Sequence, residues 1–433
     1  MAGHWHKTAG LRRLLGALAL GTAMATAAVA KAEDTIDIGF NAPLSGPAAG
    51  WGLPGLTGIN LLVDGINAEG GLDVGGKRYK LVVHQFDNEY VPSKALQGAR
   101  QLVLEHNVKI ILDVGGSTGD AQLPFLTEHK VFYAPEATAD INPNRPYIIS
   151  GADYFPRGEM MRMAYIHQIY PQAKRYAVVS QQDATSLVGQ AWEVGAAKAV
   201  GLDVVYDEFY APDTTDFAPV VTAILATKPD IVSLSISWPD FIPLLLEQLY
   251  QQGFKGIVAA NYIEPEQALQ RVPADWLQQV KAIDSYPLFD DPWWGDPSAQ
   301  HDFTAKWIAR YGPGAPEDLK RPMNGIDWLY TPMLQAYLAA VQKAGSVDPD
   351  KVLAAFRSLT TISTIQGPTA VTGEEMWGEK NMISPLVPNN EFRADCSCKR
   401  VQSLTRFETW FAQHKDAVLA EVRRRNQMWD QRQ

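Results

Sequence analysis

An α/β fold of two Rossmann-like lobes, each on a parallel central sheet, is predicted by three observations. From Thr35 onward, apolar runs of strand character alternate with stretches of i, i+3, i+4, i+7 spacing; the rhythm restarts near Tyr176; and 433 residues exceed one ordinary core. A hydrophobic content of 46% with 20% charged residues indicates compact domains rather than disorder.

The elements follow in order. Ile36, Ile38 and Phe40 share one face of a first strand, and Ile59, Leu62, Val63 and Ile66 mark a helix that stops at Gly70-Gly71. A strand at Tyr79 to Val83, a helix at Lys94 to Glu105, a strand at Val108 to Val114, a helix after Thr118 and a strand at Val131 to Ala134 complete a first block. The second block alternates strands Tyr176 to Val179, Val204 to Tyr206, Ile231 to Ile236 and Gly256 to Ala259 with helices near Gly158 to Tyr170, Gly189 to Val200, Phe217 to Ala226 and Pro239 to Gln252.

Beyond Val280 the chain is mostly helical, with helices predicted at Ala299 to Tyr311, Ile326 to Ala344 and Pro349 to Leu359. Asp348 caps the last of these and Pro349 takes its first position. Too few strands remain for a third lobe, so this block is expected to return to the first. The expected division is residues 33–150 in the first lobe, 151–262 in the second, 263–365 back in the first, and 366–433 completing the second with a C-terminal extension. Turn residues place hinges at Ile149 to Asp153, Asn261 to Pro265 and Gln366-Gly367-Pro368. The extension carries an amphipathic charged helix, Arg406 to Gln427.

Residues 1–32 read as an export signal: Lys7, Arg12 and Arg13 precede the apolar stretch Leu14 to Leu20, and Ala30-Lys31-Ala32 is a small-x-small cleavage site. The apolar stretch is shorter than the roughly 20 residues of a spanning helix. Cleavage removes four cations and no carboxylate, moving the formal charge from -10 to -14. Such a surface repels nucleic acid, and a soluble protein outside the cytoplasm is expected. Cys396 and Cys398 leave three states open: a bond between them across a small strained ring, two free thiols, or an intermolecular bond. No zinc-ligand spacing and no nucleotide-binding motif is present, so no metal and no cofactor is expected.

The richest stretch is Val108 to Gly119, where an apolar strand runs into Gly115-Gly116-Ser117-Thr118 and a helix begins. At the carboxyl edge of a parallel sheet, glycines let backbone NH groups approach a ligand, hydroxyls donate to carboxylate oxygens, and the helix amino-terminus adds positive partial charge. The same residues satisfy G-x-S-x-G, the elbow of a serine hydrolase. That chemistry needs a His base with an acidic partner, and His129, His167, His301 and His414 include none in a loop with an evident one. A third possibility for Ser117 or Thr118 is simple helix capping, worth about 1 kcal/mol. Trp51, Trp238, Trp293 and Trp294 are candidates for stacking on an apolar part of a ligand, or for packing.

In their order and spacing, several motifs resemble the solute-binding proteins of the branched-chain amino acid ABC transporter family, of type I periplasmic binding fold. They are Pro43-Leu44-Ser45-Gly46-Pro47 with Trp51-Gly52, Ile66-Asn67-Ala68-Glu69-Gly70-Gly71, Asp87, Gly116-Ser117-Thr118, and Pro135-Glu136-Ala137-Thr138. The resemblance covers the chain from the mature start to about Gly378. It implies two lobes joined by a three-segment hinge, closing on a small solute that passes to a membrane permease, with the chain acting as a periplasmic monomer. By the same resemblance Ser117 and Thr138 bind a ligand carboxylate, with Glu136 alongside through its backbone; Gly116 and Thr118 of the turn and Ala137 beside Glu136 complete the expected ligand-binding set. Trp51 and Trp238 wall the pocket. Tyr262 stands where amino acid binders carry an acidic residue for the ammonium group, with Glu264 two residues on. The ligand is therefore an amino acid, held through Glu264, or an aromatic acid, another carboxylate or an amide. A sensor module binding the same solute fits the same fold.

Overall fold

The computed structural model describes residues 34–432 apart from 47, 138–140, 152–153, 239, 287, 289–296, 318, 321–322 and 324. The signal segment, Thr138, Asp153, Trp293 and Trp294 lie outside the described residues.

The first lobe is built on a five-stranded sheet of order β2-β3-β1-β4-β5. Its strands are β1 (Thr35–Ala42), β2 (Leu72–Val74), β3 (Lys77–Asp87), β4 (Ile110–Gly115) and β5 (Phe132–Ala137). All pairs are parallel except the β2-β3 hairpin. The hairpin is too short for a clear period and was not legible in the sequence. Helices α1 (Ala49–Ala68), α2 (Pro92–His106) and α3 (Ser117–Glu128) connect these strands. Because β1 lies between β3 and β4, connections leave it in opposite directions, which opens a crevice at the carboxyl ends.

The second lobe repeats the plan in a seven-stranded sheet of order β15-β14-β10-β9-β8-β6-β7. Strands β6 (Arg175–Gln181), β7 (Asp203–Tyr210), β8 (Ile231–Ser233), β9 (Ile257–Ala259) and β10 (Ile283–Asp284) are parallel, and β14 (Val387–Arg393) and β15 (Cys398–Thr405) add an antiparallel hairpin. Helices α4 (Arg157–Ile169), α5 (Ala184–Ala199), α6 (Ala218–Ala226), α7 (Ile242–Gln251), α8 (Pro265–Leu269) and α9 (Ala274–Gln279) cover it. Asp183 starts α5 by accepting the Ser186 NH at 2.7 Å, the side-chain cap that a first turn lacks internally.

Helices α10 (Pro297–Tyr311), α11 (Ile326–Leu329), α12 (Thr331–Ala344) and α13 (Pro349–Ser358) follow, with α11 to α13 packed on the first lobe's core. Asp348 caps α13 through the Lys351 NH, as its position before Pro349 predicts. The single helix expected over Ile326 to Ala344 is two, because Pro332 cannot donate and fits only the first turn of a new helix. A small antiparallel sheet of β11 (Thr361–Thr364), β12 (Gly367–Thr372) and β13 (Met382–Ser384), with α14 (Glu374–Trp377), precedes β14.

Two passages between lobes fall elsewhere than the turn residues predict. Residues 263–284 pack with the second sheet, since Ile263, Val272, Trp276 and Leu277 join its outer core, so the return comes after β10. Asn261 to Pro265 is the link from β9 to α8, and Gln366-Gly367-Pro368 turns the β11-β12 hairpin. The third passage is Pro385-Leu386, between β13 and β14. Turn chemistry marks a change of direction without saying which sheet receives the next strand. The first passage does run through residues 149–151, where Ser150 bridges Met382.

Cys396 and Cys398 are joined in the turn between β14 and β15. The last helix, α15 (Phe407–Arg424), packs on α5, with Val418 against Gly195.

Candidate functional site

The carboxyl edges of the two sheets face one cleft of about 1460 Å³. From the first lobe, Trp51 on α1, Gly116 and Ser117 after β4, and Glu136 on β5 line it; from the second, Trp238 after β8 and Tyr262 after β9 do so. The sequence therefore gathers six of its expected residues in one place. Ala137 stays at the same edge through its backbone, paired in register with Gly115.

The turn is held from beneath. Gly116 has φ +60° and ψ -134°, a conformation that essentially only glycine adopts, and a Cβ there would lie 2.8 Å from the Tyr90 hydroxyl. The first-turn NH groups of α3 have no intrahelical acceptors, Gly116 before them offers no side-chain cap, and the helix starts at the cleft-lining residues Gly116 and Ser117. Neither hydroxyl caps the helix.

Thr118 corrects the expectation of a ligand contact. It is fully buried and does not line the cleft; its Oγ1 donates to Asp113 Oδ2 at 2.9 Å or to the Gly115 carbonyl at 2.7 Å. Asp113 also accepts from Gln122 at 2.7 Å and Tyr133 at 2.9 Å. This buried carboxylate is a clamp tying β4, α3 and β5 together below the turn. Burial pushes its pKa up to about 6, although the hydrogen bonds from Tyr133 and Thr118 favour its charged form. A threonine that follows serine at a helix start carries no sequence sign of which hydroxyl faces out.

Glu264 is the second correction. It starts α8, does not line the cleft, and accepts the Tyr262 hydroxyl proton. Burial, then the Glu264 charge, raises the Tyr262 pKa strongly. Tyr262 lies 4.3 Å from the Tyr286 ring, centroid to centroid, and beneath Lys399, whose Nζ is 4.7 Å from its ring centre. Lys399 also pairs with buried Asp284, which accepts the Ile263 NH at 2.9 Å and the Asn390 amide at 2.7 Å. The hairpin β14-β15 thus braces the loop that carries Tyr262.

Several cleft residues escaped the sequence reading. Tyr90 lines the cleft beside Ser117, with which it shares a hydrogen bond, and burial with the charges of Asp113 and Glu136 lifts its pKa to about 12. Its φ of +60° is held by its own NH donating to Asn88 Oδ1 at 2.8 Å. Gln181, at the end of β6, donates to Asp183 and Ser186 and accepts the Trp238 NH at 3.1 Å, so it fixes the loop behind Trp238. Trp238 is 45% exposed and stacked on Phe241 at 5.3 Å. The signal for Tyr90 and Gln181 is their place at or just past strand carboxyl ends.

No histidine is among the cleft-lining residues, so the Ser117 hydroxyl has no imidazole beside it among the described residues. His129 contacts the Phe125 carbonyl and His414 stacks on Trp410. Among the described residues no group of His, Cys, Asp or Glu could hold a metal ion, and no helix is long and apolar enough to cross a membrane.

Two α/β lobes around an aromatic-walled cleft, with donors preset at one edge, define a ligand-binding protein of the type I periplasmic binding fold. Residues 35–383 match the model of the periplasmic binding protein family, and the chain belongs to that family. It is 26% identical over 265 residues to Leu/Ile/Val-binding protein homolog 8 of Brucella suis biovar 1, an alignment covering 57% of this chain and 62% of that one. The chain thus spans under two thirds of the length of that relative. Among solved structures, the leucine-binding protein LivK of Thermotoga maritima superposes with a TM-score of 0.67 at 16% identity, covering 87% of this chain and all of that one. A solute-binding protein of an ABC transporter from R. palustris, in complex with 4-hydroxybenzoate, gives 0.65 at 18% identity over 86% of this chain and 96% of that one.

Proposed function

We propose that this chain is the periplasmic solute-binding component of an ABC transporter. It captures a small carboxylate-bearing solute by hinge closure and delivers it, unaltered, to a membrane permease. The observation that carries this reading is the opposition of the Gly116-Ser117 turn to Trp238 and Tyr262 across one cleft. The acid would rest on the NH groups of α3 and the Ser117 hydroxyl, and its body between Trp51 and Trp238. Contacts to both lobes favour the closed state, so occupancy and docking on the permease are linked.

Among acids, aromatic ones rank first, because Glu264 is engaged by Tyr262 while aromatic rings line both walls. Branched-chain amino acids are the second reading, supported by the name of the Brucella relative. Export through residues 1–32 and action as a monomer belong to the same proposal. The test is a thermal-shift screen over branched-chain amino acids, benzoate-like acids, dicarboxylates and small amides, since selective binding raises apparent stability by mass action. Selective stabilisation by one acid class is expected; no shift by any carboxylate would overturn the reading.

A further inference from the structure

The family match ends at residue 383, yet the cleft does not. Gln427, Trp429 and Arg432, in the segment that follows α15, line the same cleft as Ser117 and Trp238. They are only partly buried.

The segment is firmly placed. On the second lobe, Glu421 of α15 takes Lys198 at 2.9 Å and Arg425 at 2.8 Å, and Arg425 also pairs with Asp207 of β7. Hydrogen bonds from Arg424, then Arg425 and Lys198, hold the Glu421 carboxyl below its ordinary range. Met428 is buried in the core shared with α5, and Asp430 pairs with Arg423 at 3.0 Å. On the other side the Trp429 ring abuts Gly378, whose free face Pro143 also approaches. A Cβ at Gly378 would come within 2.5 Å of the indole, so only a glycine permits this approach. The Arg432 guanidinium lies over the Trp377 ring, 5.6 Å from its centre, which orients its flat donor edge.

Pro143 belongs to the stretch that leaves β5 of the first lobe, whereas α15 sits on the second. The segment therefore lines the cleft from the second lobe, together with Asn142, Asn144 and Arg145 of the stretch that leaves β5. It offers an aromatic face, a side-chain amide, and a guanidinium that can only donate. Arg145, from the same stretch as Pro143, and Arg162 of α4 also bring guanidinium groups to the lining.

We propose that residues 427–432 form a third wall of the ligand site, in which Trp429 packs on the ligand body and Arg432 receives a second acceptor group, distant from the carboxylate held at Ser117. The inference rests on the carboxylate-binding reading above and narrows it to acids with an acceptor at each end. Space allows this, since the cleft of about 1460 Å³ exceeds the roughly 300–1,000 Å³ usual for small-ligand sites.

Isothermal titration of the full chain with benzoate, 4-hydroxybenzoate, 1,4-benzenedicarboxylate and isoleucine tests it, using Arg432→Ala, Trp429→Ala, Trp429→Phe and the remote control Arg400→Ala. Arg432→Ala is expected to weaken 1,4-benzenedicarboxylate about tenfold and leave benzoate unchanged. Trp429→Ala should weaken the aromatic acids roughly five- to tenfold, with Trp429→Phe recovering most of the loss. Arg432 is only partly buried, so its variant keeps the test readable if Trp429→Ala fails to fold. Wild-type affinities in both Ala variants, for whichever probe binds, isoleucine included, overturn the third wall and leave the binding-protein reading standing. A wild-type chain that binds none of the four overturns both.

Discussion

Ser117 and Thr118 are adjacent hydroxyls with opposite duties, and removing each separates scaffold from site. In Thr118→Val the shape is kept and one buried hydroxyl proton is lost from between Asp113 and the Gly115 carbonyl. A hydrogen bond to a charged buried acceptor contributes about 1.5–3 kcal/mol. For roughly 400 folded residues, at about 2.1 cal/mol/K of unfolding entropy per residue, that lowers Tm by about 2–4 °C. Ser117→Ala removes a group at the cleft surface whose described partner is the Tyr90 hydroxyl, so the ligand-free Tm should move by less than about 1 °C. Its cost falls on the ligand, about 10- to 100-fold in affinity if the hydroxyl donates to a carboxylate. Urea unfolding without ligand and thermal shift with the best acid from the screen measure the two effects separately. The reasoning is refuted if Thr118→Val binds poorly at unchanged stability, or if Ser117→Ala unfolds early and still binds normally.

Other expectations follow from the same geometry. Asp113 has a folded pKa near 6 against an ordinary 3.9 or so, so its contribution is full below pH 4 and is lost as pH rises through 6; the stability of wild type relative to Asp113→Asn should fall by up to about 3 kcal/mol between pH 4 and pH 7, and a flat difference contradicts the raised pKa. Gly116→Ala places a Cβ against the Tyr90 hydroxyl at positive φ, and should cost about 1–3 kcal/mol in urea unfolding and abolish the ligand shift. Lys399→Met leaves the Asp284 charge buried without its cation, and a loss of about 3–5 kcal/mol is expected; a neutral result would show that the hairpin does not brace the Tyr262 loop.

Much of this architecture is written in local pattern. The alternation from Thr35 to Ala259 matches β1 to β9 in type and place, apart from the short β2, because each strand core is apolar on its own and each helix shows a buried stripe. The order of strands within a sheet is not local. Nothing in Ile283-Asp284 distinguishes a strand that joins β9 from one that returns to β1, so the second passage between lobes was placed too early. The site divides in the same way. Gly116 and Ser117 follow from a strand running into glycines at a helix start, whereas the inward turn of Thr118 depends on Asp113, Gln122 and Tyr133 converging from three elements. The approach of Trp429 to Gly378 joins residues 51 positions apart and leaves no mark in either segment.

Closure on a solute gripped from both sheet edges is the central claim, and small-angle X-ray scattering of the mature chain, with and without a saturating acid from the screen, tests it most directly. A smaller radius of gyration in the saturated sample, reverting on dialysis, is the predicted result. Superimposable curves at proven saturation would contradict it.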